Sequence, residues 1–363
     1  MDTKVKRNYS NLNATVAKLH AVYGKRLSQG DYTALMNCTS VSDAAAYLKK
    51  NTHYSRALQD LDENTVHRGV LEDMLRRSFI EEYYRLIGFE KIGDSEFYSY
   101  ITAKTETEEI LVCIQHIIAG SEDHINTLPI YMKRYTSFDI MELTKVRTFS
   151  QLLEVIAKTP YYQLLKDFAP EDDINADYAA CELKLRIYYY NRLLSSLDAF
   201  DKNTRSRLRY YIGLQIDTIN IANSYRMIRY FHADANYIKP KMIPIYIGVP
   251  EKKFDELYAS ADMQSFVSVF KQTKYGREIE KRGLPLDDVE RAVLLYRYKE
   301  TKRAFSRSRT ASECFYTFNW LLDLEVKNII RIIKGIRYSL PVRDISELLI
   351  LKCSPFVRQC GII

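Results

Sequence analysis

The chain has 363 residues, 53 Lys and Arg against 46 Asp and Glu, a net charge of +7, and 47% hydrophobic residues. That length and apolar content exclude both a single small core and a disordered chain. Only 12 Gly and 9 Pro interrupt it, which favours helix.

The longest uncharged apolar run, Ile110 to Ser121, carries Gln115 and His116 and falls short of the roughly 20 residues a membrane-spanning helix needs. No apolar segment follows the basic first ten residues, so no signal peptide is expected. Six cysteines without a C-x-x-C pair point to free thiols in a reducing compartment. The positive excess is confined to one end. Residues 1–232 carry 30 basic and 30 acidic side chains, and residues 233–363 carry 23 and 16. Such an end fits an acidic partner, anionic headgroups or nucleic acid, or simply a wet helical surface.

In chain order, a short amphipathic helix starts at the capping pattern Ser40–Asp43 and runs to Thr52 and Tyr54. Leu71, Leu75, Phe79, Tyr83 and Leu86 then mark one face of a long helix. The signature Glu106-Thr-Glu-Glu109-Ile110 follows, and Leu128-Pro129-Ile130-Tyr131 closes the unit. The order then repeats. Thr148–Gln151 opens a short helix ending at Thr159-Pro160-Tyr161, and Ile174, Tyr178, Cys181, Leu185 and Tyr188 mark the next stripe. Ile216-Asp217-Thr-Ile-Asn220-Ile221 leads to Ile228-Arg229-Tyr230, with Ile243-Pro244-Ile245-Tyr246 as the closing marker. A third round has Thr273-Lys-Tyr275, the stripe Leu286, Val289, Val293 and Tyr296, then Leu324-Glu325-Val-Lys-Asn328-Ile329, Ile336-Arg337-Tyr338 and Leu340-Pro341-Val342.

The three threonines lie 107 and 114 residues apart, and each is expected to cap the helix after it, with Pro160 tolerated at a first helical position. No stretch alternates like a strand. The expected fold is all-α, with three homologous helical units at 1–131 (with an N-terminal helix), 132–246 and 247–363. The period is too long for a TPR or HEAT solenoid and implies a triplicated small helical domain.

No phosphate-cradling loop is present: Gly24-Lys25 is followed by Arg26 and lacks the upstream glycine. None of the six histidines pairs with Glu at helical spacing or joins a Cys/His cluster, so no metal site is expected. Cys113, Cys181 and Cys314 fall in apolar helical patterns and read as core rather than as nucleophiles. Catalytic and cofactor-binding residues are expected to be absent. The repeated polar pairs are Asp217/Asn220 and Glu325/Asn328, each on one helix face. They read as lobe organisers that hold a neighbouring helix end or an arginine such as Arg226 or Arg229. Arg226, Arg229 and Arg337 are the candidates for partner contact. The basic stretch Arg297 to Arg309, interleaved with Tyr296, Tyr298 and Phe305, leaves open a helical nucleic-acid-binding or scaffold protein that uses the basic last third. The plain alternative is a helix with one wet basic face. The Arg205, Arg207, Arg209 run is a weaker case, because alternate residues spread around a helix.

The ordered set of markers resembles the C (or d) subunit family of V-type and archaeal-type rotary ATPases over roughly residues 9–350. Tyr23-Gly-Lys-Arg-Leu27-Ser28-Gln-Gly30-Asp31-Tyr32, the Thr52-x-Tyr54 element, the Asp217-x-x-Asn220 helix and Trp320-Leu-Leu-Asp-Leu-Glu325-x-x-Asn328-Ile329 carry it. Glu109 departs from the Asn of the other copies, and Thr15 stands where relatives often place Arg. The resemblance implies a non-catalytic, three-lobed helical funnel of pseudo-threefold symmetry. It would be present once per complex on the cytoplasmic face of the membrane, between the proteolipid (c/K) ring and the D- and F-type central shaft. It implies no cofactor and no nucleic acid, and a role in passing torque for proton or sodium transport.

Overall fold

The computed structural model describes residues 13–62, 66–89, 96–120, 130–285 and 288–351. Among them the regular elements are all helical, with short 3-10 turns between α-helices and no strand. In chain order the α-helices are α1 (Asn13–Tyr23), α2 (Gln29–Met36), α3 (Val41–Asn51), α4 (Arg68–Phe89), α5 (Tyr100–Ala119), α6 (Phe149–Val155), α7 (Pro160–Leu165) and α8 (Tyr178–Ser195). They continue with α9 (Lys202–Phe231), α10 (Ala235–Ile238), α11 (Glu251–Tyr258), α12 (Met263–Lys271), α13 (Arg277–Arg282), α14 (Val289–Arg307), α15 (Ala311–Arg337) and α16 (Val342–Leu348). None is long and apolar enough to cross a membrane.

Two compact units emerge, one from 1–92, 200–211 and 274–363, the other from 93–199 and 212–273. Each gathers segments from all three sequence repeats.

In the first unit α15 is the axis. It is apolar or small around most of its circumference, the pattern of a helix with neighbours on every side. Helices α1, α4, α14 and α16 pack on it, with α2 and α3 at its edge. Leu71, Leu75, Phe79, Tyr83 and Leu86 of α4 are all buried, as the stripe requires. Gly335 lets α16 come close, because a Cβ there would lie 2.5 Å from Ile345 Cγ1. In the second unit α5 packs against α8 and α6, and α7 lies on α8. Here the expected stripe shifts. Helix α8 begins only at Tyr178, so Ile174 sits in the preceding loop and is exposed. The buried face runs Cys181, Leu185, Tyr189 and Leu193, with Tyr188 half-buried beside it. Leu286, Leu128 and Pro129 lie outside the described residues.

The three short helices before the threonines are capped alike. The side chains of Ser40, Thr148 and Asp262 accept from the N–H of Asp43, Gln151 and Ser265. Only the last was not evident in the sequence, since Ser265 is not an acid or amide. A full capping box, Ser28 with Asp31, starts α2.

Thr52 caps the 3-10 turn His53–Ser55 through its side chain and Thr159 stands at the N-cap of α7, and all three threonines also act on the helix before them. The hydroxyls of Thr52, Thr159 and Thr273 donate backward to Leu48 O (2.6 Å), Ile156 O (2.7 Å) and Phe270 O (2.7 Å). Each thus adds a bond to a carbonyl at the end of the preceding helix, and at Ile156 and Phe270 the threonine's own N–H bonds the same oxygen (2.9 Å each). Thr52 also accepts from Tyr54 N. Thr159 precedes α7 but its hydroxyl makes no cap bond, and a turn separates Thr273 from α13. The tyrosines that follow, Tyr54, Tyr161 and Tyr275, are all buried.

Candidate functional site

Acid and amide recur three residues apart on long helices, and both point into protein. Asp217, Asn220, Glu325 and Asn328 are each no more than 2% exposed.

The amides act as clasps. Asn220 accepts from Ile243 N (3.0 Å) and donates to Ile243 O (2.8 Å). Asn328 accepts from Ile350 N (3.2 Å) and donates to Ile350 O (3.1 Å). In each case one side chain satisfies both polar groups of a buried, non-helical residue. The expected third marker, Leu340-Pro341-Val342, is therefore not the structural counterpart of Ile243-Pro244. Pro341 stands at the N-cap of α16, and Ile350 takes the clasped position. Arg331 adds a bond to Asn328 Oδ1 at 2.9 Å.

Glu325 is the most connected group. Its Oε2 accepts from Arg26 Nε (2.9 Å) and Leu27 N (3.1 Å), and its Oε1 from the Tyr54 hydroxyl (3.1 Å). His53 Nε2 lies 3.5 Å from Oε1. Arg26 also donates to Leu321 O, so the guanidinium ties the α1–α2 turn to α15. Burial works against the Arg26 charge, but Glu325 outweighs it and the guanidinium is held protonated. The Tyr54 hydroxyl is pushed well up, first by burial and then by Glu325. A cleft of about 400 Å³ opens here, lined by Tyr23, Tyr32, Tyr298 and Lys302 around the Arg26–Glu325 pair.

The second unit holds a simpler version. Glu106, at the position of Glu325 in the repeat, accepts from the Tyr161 hydroxyl (2.8 Å) and from Ser137 N. Among the described residues no cation lies within ion-pair distance of it. Asp217 is wholly buried in the same unit, and its charge helps raise the neighbouring Tyr258 hydroxyl, which burial pushes up first.

The arginines chosen from the sequence lie elsewhere. Arg226 and Arg337 are exposed near the ends of α9 and α15. Arg229 is half-buried, stacked 5.6 Å and 5.7 Å from the ring centres of Tyr225 and Tyr230. Tyr230 and Tyr338, which follow Arg229 and Arg337, are about two-thirds exposed. What the sequence did not reveal is the set of partners of Glu325. Arg26 and Leu27 stand inside a recognisable motif, but nothing local links them to a carboxylate 299 residues away.

This chemistry braces helices. Both oxygens of Glu325 are bound, by an arginine, a tyrosine and a backbone N–H, and each bond joins α15 to another segment. Burial pushes the Cys113 and Cys314 thiols up to about 12 and Cys181 up to about 11, so they stay protonated and inert. No three potential metal ligands converge among the described residues. Much of the basic stretch on α14 is also engaged internally. Arg297 is buried 4.5 Å over the Trp320 ring, Lys299 binds Glu278 (2.8 Å), and Phe305 is buried.

The described residues are all-helical and braced by repeated buried carboxylates and amides. Residues 15–348 match the family model described as ATP synthase (C/AC39) subunit, and the chain belongs to that family. The C subunit of the A-type ATP synthase of Methanosarcina mazei is 24% identical over 282 residues, covering 76% of this chain and 74% of that protein. The protein of the same name from Methanosphaera stadtmanae is 27% identical over 221 residues, 58% of this chain and 56% of that one.

Proposed function

We propose that this chain is a non-catalytic coupling subunit of a V/A-type ATPase or ATP synthase. It is a socket that joins the D- and F-type central shaft to the membrane proteolipid ring and passes torque between ATP chemistry and proton or sodium transport. It sits once per complex, peripherally, on the cytoplasmic face. The family match across residues 15–348 carries this reading.

The proposed architecture is a funnel of three homologous helical units, 1–131, 132–246 and 247–363, in pseudo-threefold order. Three threonine plugs and two asparagine clasps of one design support it. So do the tyrosine–acid pairs. Tyr161 of the second copy reaches Glu106 of the first, and Tyr54 of the first reaches Glu325 of the third. In both links a tyrosine of one copy bonds the acid of another, and buried polar bonds of this kind stiffen each unit, as a part that carries torque requires.

Arg226, Arg229 and Arg337 are the proposed contacts with the rotor, while Asp217, Asn220, Glu325 and Asn328 organise the lobes. The test is to solubilise native membranes in mild detergent and purify the chain. A proteolipid ring and shaft subunits are expected with it, and recovery of the chain alone would overturn the reading. Arg229→Glu with Arg337→Glu is expected to weaken assembly and to uncouple hydrolysis from transport. Unchanged coupling would remove both from the interface.

A further inference from the structure

The basic residues from Arg297 to Arg309, on α14 and the turn after it, divide into two groups. Arg297, Lys299 and Lys302 are spent on Trp320, Glu278 and Tyr298. Arg303, Arg307 and Arg309 are not. Arg303 is largely exposed and lies 4.0 Å from Glu300, at the long limit of an ion pair. Arg307 and Arg309 are exposed and have no ion-pair partner among the described residues. All three line one open cleft of about 390 Å³ in the first unit, with Arg207 and Glu313 on its other wall. Glu313 is buried and neutralised from its own side, by Arg207 Nε at 2.7 Å and the Ser308 hydroxyl at 3.2 Å. Glu300 also lines the cleft, so four arginines face two carboxylates and a positive surplus remains on the wall made by α14 and the turn after it.

We propose that this cleft, through Arg303, Arg307 and Arg309, docks an acidic α-helix of a partner protein, one that presents carboxylates a helical turn apart.

Spacing and shape favour a helix over a free anion. Arg303 and Arg307 are one turn apart on α14, about 6 Å along its axis, which is the spacing of carboxylates at i and i+4 on an apposed helix. Guanidinium forks bind carboxylates two bonds at a time. The cleft is open, and its lining contains no glycine that would let backbone N–H groups wrap a phosphate. The inference rests on the charges and geometry of α14 and does not depend on the rotary reading.

The test uses the purified full chain and fluorescent Ala-rich helical peptides read by anisotropy at low and high salt. One peptide carries Glu pairs at i,i+4, a second carries the same number of Glu at i,i+2, and a third has Gln in place of Glu. The first is expected to bind best, with affinity that falls as salt rises. Arg303→Ala with Arg307→Ala is expected to weaken it about tenfold, the size of losing two well-placed charge pairs. Arg307→Ala alone gives a smaller loss in the same direction, should the double variant fold poorly by circular dichroism. Arg343→Ala, exposed on α16 outside the cleft, is the control and is expected to bind as the unaltered chain does. Equal binding of the two Glu peptides, unchanged binding by the arginine variants, or complete displacement by equimolar inorganic phosphate or a short oligonucleotide would each overturn the proposal.

Discussion

Glu325 in the first unit and Glu106 in the second occupy the same place in the repeat, and they are satisfied differently. Each receives the hydroxyl of a repeat tyrosine and one backbone N–H. Of the two, only Glu325 has an arginine beside it, with 11% of that side chain exposed. The shared part is what the helix packing requires, since a buried carboxylate must find donors. The added part does a second job. It fastens the turn after α1 to α15, a connection made through side chains 299 residues apart. The same acid is thus an internal brace in one unit and a tether for the N-terminal segment in the other.

The sharpest way to break that comparison is to strand a charge. Arg26→Ala leaves Glu325 buried without its counter-ion and is expected to cost about 3–5 kcal/mol, as does Glu325→Gln, which strands Arg26. Replacing both with apolar residues of similar size should recover most of the loss. Two compact units make a single unfolding curve ambiguous, so the readout is hydrogen exchange of α15 against α5. Protection should fall in α15 and hold in α5. Equal losses in both helices would mean that the tether serves more than its own unit.

The clasps come next. Asn328→Ala leaves Ile350 N–H and C=O unpaired and removes a partner of Arg331, at about 3 kcal/mol. Asn220→Ala leaves Ile243 N–H unpaired, while Ile243 C=O keeps Ile245 N (2.8 Å) and no arginine is lost from the amide, at about 2 kcal/mol. A reversed order would show that the Arg331 bond adds nothing. Glu106→Gln, which keeps an acceptor and strands no cation, should cost only about 1 kcal/mol and be read as lost protection in α5.

Local devices could be read from the chain and distant ones could not. The α4 stripe and the Ser40 and Thr148 caps follow from periodicity and from three-residue spacings, which the sequence displays directly. The α8 stripe slipped because Asp177 caps the helix three residues after Ile174, and several tyrosines in a row there blur which face is apolar. The clasp on Ile350 was hidden by a decoy. Leu340-Pro341-Val342 repeats the residue types of Ile243-Pro244-Ile245, but Asn328 grips the residue 22 positions on, close to the 23 that separate Asn220 from Ile243. Spacing from the amide was the better guide. Arg26 belongs to a legible motif, yet its role is not legible there, because a salt bridge to Glu325 has no local trace.

The smallest expected effect concerns His53, which separates the two acids by pH. Its imidazole is held below the ordinary value of 6.5, first by burial and then by Arg26, while Glu325, Glu82 and the Lys25 backbone oppose the shift. Folded His53 therefore stays neutral where the unfolded chain binds a proton. Stability from this group is full above the usual histidine range and is lost as pH falls below 6.5 toward the folded value. Glu278, held low by Lys299 and Arg282 against the effect of its burial, acts in a different window: its contribution is present above the usual carboxyl range and fades only in stronger acid. His53→Gln should flatten the loss in α15 protection between neutral and mildly acidic pH and leave the acid limb, and α5, as they are. If the variant and the unaltered chain lost α15 protection in parallel across that window, the neutral imidazole would not be what senses it.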